Sequence, residues 1–176
     1  MSALPPDWGL YSAAVSEAHE VTGLPLSMIW AVIMQESSGD PMARRIEHGF
    51  YDRYIRGKPE FAGHKWGQTP SVIAASFGLM QVMYTTAEEA VRAKLPAAIS
   101  AGWDYSPWGL CIPRTNVLIG AAVLTKKRET YGPEGGIAAY NAGSARRNGS
   151  EWVNQNYVSG VLKWQAQIEA EMRRGD

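Results

Sequence analysis

The chain has a single cysteine, Cys111, in 176 residues. No intrachain disulfide can form, and one thiol is far short of a zinc or iron–sulfur cluster. There is no excess of either charge, since 17 Lys and Arg balance 17 Asp and Glu. A balanced chain carries no overall electrostatic footprint for nucleic acid or an anionic membrane. Long apolar runs are missing: the longest uninterrupted one is Met28 to Met34, much shorter than a membrane span. Pro5, Pro6 and Asp7 stand where a secretory leader needs a basic segment and then an apolar one, so no export signal is expected. Repeats, low-complexity tracts and linkers rich in Ser, Gly or Pro are also lacking. One domain over residues 1–176 is expected, with room for a proper core.

What is present is a globular composition, 45% hydrophobic and 19% charged, which excludes a mostly disordered chain. Its aromatics are skewed: seven Trp and eight Tyr against three Phe. Such rings serve a core and its interfaces. They also suit a groove in which flat amphipathic side chains stack on an extended ligand and still hydrogen-bond.

Helical spacing dominates. Leu10, Ala14, Val15, Ala18 and Val21 predict a helix over 8–21. Residues 25–37 are apolar nearly all round, which marks a buried helix stopped by Gly39-Asp40-Pro41. Thr85 with Glu88 and Thr86 with Glu89 form two overlapping capping boxes, predicting a helix to about Lys94. Pro96 to Pro113, with Trp103, Tyr105 and Trp108, reads as turn. Asn116 suits the cap of a helix over 117–130. Shorter and longer helices are predicted over 134–142 and about 157–173. No alternating strand pattern stands out, so the class is all-α or α-dominated. Residues 44–76 differ: Gly57, Pro59, Gly63, Gly67 and Pro70 allow only a short amphipathic helix near 47–56 and then an irregular loop.

Three segments could carry chemistry. Glu36 follows Ile29 and Val32 on one face of the buried helix. A carboxyl there is partly desolvated, which raises its pKa toward what a general acid needs near neutral pH. The bland alternative is the solvated end of a core helix. Gly78-Leu79-Met80-Gln81-Val82-Met83 embeds one amide in an apolar stretch, and a buried amide must find partners in the protein or in a ligand. Ile137 to Gly143 is a small-residue helix ending in Tyr140, Asn141 and Gly143, an ordinary helix stop if read alone.

Taken in order, the stretches Ile33 to Pro41, Gly78 to Met83, Asn116 to Ala122, Ala139 to Gly143 and Tyr157-Val158 resemble the lysozyme-like lytic transglycosylases, the soluble lytic transglycosylase family. The resemblance covers roughly residues 8–170. It implies an α-dominated lysozyme-like single domain with a saccharide-binding cleft, acting on peptidoglycan glycan strands. It implies cleavage of the β-1,4 bond between N-acetylmuramic acid and N-acetylglucosamine, with 1,6-anhydro ends. Glu36 maps onto the lone catalytic acid/base. Ser37, Met80, Gln81, Tyr140, Asn141 and Tyr157 map onto the substrate site. No metal or organic cofactor is implied, and a monomer acting on the cell wall is expected.

Two departures stand out. From Glu36 to Gly78 is 42 positions, longer than usual in the family, and the family's Ser-Pro and Gly-Ala loop signature is absent. Its loop serine therefore cannot be placed, and Ser76 is the candidate. The insertion at about 44–76 instead supplies Arg45, Glu47, His48, Asp52 and Glu60. Glu47, preceded by Arg44 and Arg45, is a candidate second carboxylate that could activate water and make the enzyme a hydrolytic muramidase. The apolar content of the insertion, Ile46, Phe50, Tyr51, Tyr54, Ile55, Phe61 and Trp66, predicts an ordered element over or beside the cleft. Tyr84 stands where the family has proline, which should change how the next helix begins. A non-catalytic saccharide-binding module is the remaining alternative; against it, a binding-only groove gains nothing from a desolvated acid.

Overall fold

Seven consecutive residues, Ser27 to Ile33, are buried, so the helix that carries them, α2 (Leu26–Ser37), is enclosed on all sides. The computed structural model describes residues 8–61, 69–102 and 104–175. In it α2 packs between α1 (Trp8–Thr22) and the long C-terminal helix. The first turn of α2 carries no side-chain cap; Pro25 precedes it, and Ser38 ends it in the left-handed conformation at φ 54°.

The chain then leaves the helical body. β1 (Arg44–Ile46), a three-residue helix α3 (His48–Phe50), a π-helical turn (Tyr51–Ile55) and a 3-10 turn (Pro59–Phe61) follow. α4 (Pro70–Ile73) leads back to β2 (Ala75–Phe77) and β3 (Val82–Met83). These strands make a three-stranded antiparallel sheet in the order β1-β2-β3, with Arg45 opposite Ser76 and Ser76 opposite Met83. The two ends of the insertion are thus zipped together. Strands were not expected here: at two or three residues they are too short for alternation to be read. A second pair, β4 (Arg147–Asn148) with β5 (Glu151–Trp152), was missed for the same reason. The predicted helix near 47–56 is present as α3 running directly into the π turn, a change of spacing that the sequence did not announce. The described part of the insertion is ordered, as expected: Ile46, Phe50, Tyr51 and Phe61 pack on the core and Ile55 is buried. Trp66, Trp103 and the side chain of Glu60 lie outside the described residues.

α5 (Tyr84–Arg92) has Met83 at its N-cap, two positions before Thr85 and three before Thr86, so it begins too early for either capping box, and no side chain caps it. Tyr84 is the reason. Its ring is buried at the first position of the helix. α6 (Pro96–Ser100) and a 3-10 turn (Gly109–Cys111) occupy part of the region expected to be turn.

α7 (Pro113–Tyr131) opens on a proline at its first turn, where the missing N–H has no cost. Asn116 is therefore inside the helix and is not its cap. Fully buried, it accepts from the Met80 N–H at 2.7 Å and donates to Phe77 O and Leu110 O at 2.7 and 2.8 Å. α8 (Pro133–Ala142) returns against α7, and α9 (Gln155–Gly175) closes on α2. The core lies among α1, α2, α7, α8 and α9, with Ile29, Ile33, Leu118, Ile119, Ile137 and Ile168 fully buried.

Candidate active site

Where α2 ends, Glu36 faces a cleft of about 850 Å³. One side of it comes from the insertion: Arg45, Glu47, Gly49, Phe50 and Tyr54. Gln81 from the turn before β3 and Val82 and Met83 of β3 follow, and α5 with its C-cap contributes Thr86, Glu89, Ala90 and Ala93. The last turns of α7 and α8 add Lys126, Lys127, Tyr140 and Asn141.

The Glu36 carboxyl is partly buried and accepts a hydrogen bond from the Tyr157 hydroxyl on α9, 2.6 Å from Oε1. Its pKa is raised from 4.5 to about 7. Burial is the largest cause. The Tyr157 bond and the Arg45 cation pull the other way, and the Glu47 charge adds to the rise. Burial and the neighbouring Glu36 hold Tyr157 well above the usual phenol range, so it stays a donor. Tyr140 is raised for the same two reasons.

Around this carboxyl the polar groups are tied to one another. Arg45 Nε donates to Glu47 Oε1 at 2.7 Å, and the buried Ser76 hydroxyl lies 3.1 Å from the same oxygen. Ser76 also lies 3.0 Å from Gln81 Oε1. With one proton to give, it can serve only one of these oxygens at a time. Gln81 Nε2 donates to Ala43 O and Gly78 O, both at 3.0 Å. Three bonds thus fix Gln81 in a left-handed conformation, φ 47°, that an unsupported glutamine avoids. Gly78 turns at φ 72°, and a Cβ there would sit 2.4 Å from Leu110 O.

The residues expected in the site divide into two groups. Glu36, Glu47, Gln81, Tyr140 and Asn141 line the cleft, and Tyr157 reaches Glu36 from behind. Ser37 and Met80 are not among the lining residues. Ser37 Oγ donates to Leu79 O at 2.8 Å and accepts from the Gly39 N–H, tying α2 to the Gly78 turn. Met80 is fully buried; its carbonyl accepts from the Tyr140 hydroxyl at 2.8 Å. The Gln81 amide faces the protein with both N–H groups spent. Asn141 is exposed. Its oxygen accepts from Asn154 Nδ2, and among the described residues its NH2 has no protein partner.

Lys126, Lys127, Thr86 and Glu89 were not anticipated, because a polar helix face reads as solvent-facing. Their spacing held the signal: Thr86, Glu89, Ala90 and Ala93 share one face, as do Val123, Lys126 and Lys127. Among the described residues no group of three His, Cys, Asp or Glu side chains could hold a metal ion, and no helix is long and apolar enough to cross a membrane.

The geometry is that of a lone raised-pKa carboxyl in a groove. The family model described as "Transglycosylase SLT domain" matches residues 13–163, and the chain belongs to that family. The fold is similar to that of a 70-kDa soluble lytic transglycosylase solved in complex with bulgecin A. The TM-score is 0.62 at 22% identity, covering 92% of this chain and 24% of that one. The chain thus spans about a quarter of the length of that protein. Among curated protein sequences, none matches it.

Proposed function

We propose that this chain is a peptidoglycan lytic transglycosylase, cleaving the β-1,4 bond between N-acetylmuramic acid and N-acetylglucosamine. The observation that carries the reading is the Glu36 carboxyl, raised to about 7 and hydrogen-bonded by Tyr157 in an open cleft. Near neutral pH such a group can both give and take a proton. Protonated Glu36 donates to the glycosidic oxygen as the bond to the anomeric carbon lengthens. The substrate's N-acetyl group supports the positive charge at that carbon. Ionised Glu36, steadied by the Tyr157 hydroxyl, then takes the proton of the muramic acid 6-hydroxyl. That oxygen closes on the anomeric carbon and leaves a 1,6-anhydro end. The exposed Asn141 amide is placed to hold the strand. Gln81 acts differently: it shapes the cleft wall and leaves sugar binding to others. The enzyme works as a monomer, one cleft per chain, in the compartment that holds the cell wall.

A second reading has its own observation. Glu47 lines the same cleft with Arg45 and Ser76 on one oxygen. An ionised carboxylate there could activate water and give reducing ends. In the transglycosylase reading its charge instead adds to the rise that burial causes in the Glu36 pKa and faces the developing cation. Digestion of purified peptidoglycan with mass spectrometry of the products tests both. Anhydro ends are expected from the wild type, and none above background from Glu36→Gln. Glu47→Gln should slow release at least about tenfold while anhydro ends persist. Reducing ends from the wild type would make the enzyme a hydrolase, and soluble muropeptides absent altogether would make it a binder.

A further inference from the structure

The insertion brings an exposed aromatic side chain to the cleft that the acid–base chemistry does not use. The local backbone explains why. The Tyr51 N–H bonds to Glu47 O four residues back, and the Arg56 N–H bonds to Tyr51 O five residues back, both at 2.8 Å. This change from α to π spacing is uncommon and recurs at functional sites. Tyr51 and Ile55 turn inward: Tyr51 packs on the core and Ile55 is 2% exposed. Phe50 and Tyr54 come side by side, ring centroids 5.0 Å apart. Phe50 rests on the core, but Tyr54 does not and is 46% exposed. The Arg53 and Lys58 cations lie over the Tyr54 ring, each 5.9 Å from its centre. Both rings line the cleft that holds Glu36.

We propose that Tyr54, backed by Phe50, is a stacking platform for a pyranose ring of the glycan strand, at a subsite away from the bond that is cut. The proposal rests on the reading of this cleft as a glycan site and adds to it a determinant of strand length. A pyranose presents an apolar C–H face edged by hydroxyls. A phenol ring with a polar tip matches both. A lone exposed aromatic on an open surface needs no explanation. This one lines the cleft that holds Glu36 and packs at a tilt of 47° on a core-anchored neighbour.

Binding measured in a Glu36→Gln background, where strands are not consumed, tests it. The ligands are glycan oligomers of defined length prepared from peptidoglycan. Tyr54→Ala should weaken binding of long strands about tenfold. It should leave the shortest fragments, which reach only the site beside Glu36, unchanged. Tyr54→Trp should restore long-strand affinity, and it decides the matter if the Ala variant also melts lower. In the active enzyme KM on long strands should rise with kcat at saturation kept. Equal binding of long strands by Tyr54→Ala and its parent would overturn the platform alone, as would an equal loss at every length. A parent that binds no glycan of any length would overturn the functional reading and the platform with it.

Discussion

A single hydrogen bond sets much of what Glu36 can do. The Tyr157 hydroxyl holds Oε1 at 2.6 Å and lowers the pKa that burial raises. It stabilises the ionised carboxylate more than the acid. Removing it in Tyr157→Phe should therefore move the Glu36 pKa further upward. Because the protonated form starts the reaction, the alkaline limb of kcat/KM, near pH 7 in the wild type, should shift to higher pH. The maximal rate should fall about tenfold or more, since the carboxylate formed in the first step loses its donor. A pH–rate profile of both proteins checks this; an unshifted limb would leave Tyr157 with a packing role only. At the same scale, Ser37, Met80 and Gln81 tie the chain segments around the site to one another. Their polar groups are spent on Leu79, Tyr140, Ala43 and Gly78, and so fix the turn that forms the cleft wall.

At the scale of elements, the join between α7 and the Gly78–Gln81 turn depends on one amide and one missing side chain. Asn116 satisfies three backbone groups inside the core. Gly120, one turn on, leaves room for Met80: a Cβ there would be 2.7 Å from its sulfur and 3.1 Å from the Tyr140 hydroxyl. Asn116→Ala would strand the Met80 N–H and two carbonyls away from water. A loss of about 3 kcal/mol or more is expected by denaturant melt, well beyond the roughly 1 kcal/mol of a lost helix cap. A loss within the cap range would mean that water enters and replaces the amide. The sequence placed Asn116 in a motif but read it as a cap, because Asn before an apolar helical run fits that role. Pro113, three residues earlier, takes the first turn instead. The longer helices were legible because each carries two or more turns of periodic signal, whereas α4 and α6, at four and five residues, do not. The strands were not, since two or three residues cannot display a period of two.

For the whole molecule, the site has a cost in stability. Between pH 4.5 and about 7 the folded protein keeps the Glu36 proton while the unfolded chain gives it up. The folded state binds more protons there, so this group's contribution falls as pH rises through that window. The loss is complete above pH 7 and amounts to about 3 kcal/mol at most. Glu36→Gln removes the charge and keeps the shape. It should melt higher than the wild type at pH 8 and about equally at pH 4. Calorimetry at the two values checks this, and equal melting at pH 8 would mean that the folded carboxyl ionises without penalty.

Composition, helical periodicity and the ordered motifs determined the α-dominated class, the family and Glu36 as the candidate acid. These properties are written locally: a helix face, a stop signal, a carboxyl after seven apolar residues. The expectation that the insertion is ordered was also local, read from aromatic content alone. Only the tertiary structure decided which groups meet. Tyr157 and Glu36 are 121 positions apart, and Gln81 and Ala43 are 38 apart. Which backbone groups an amide meets depends on which are left unpaired once the chain is packed. That reckoning closes only in three dimensions, which is why the bonds of Gln81 to Ala43 and Gly78 could not be read from the sequence.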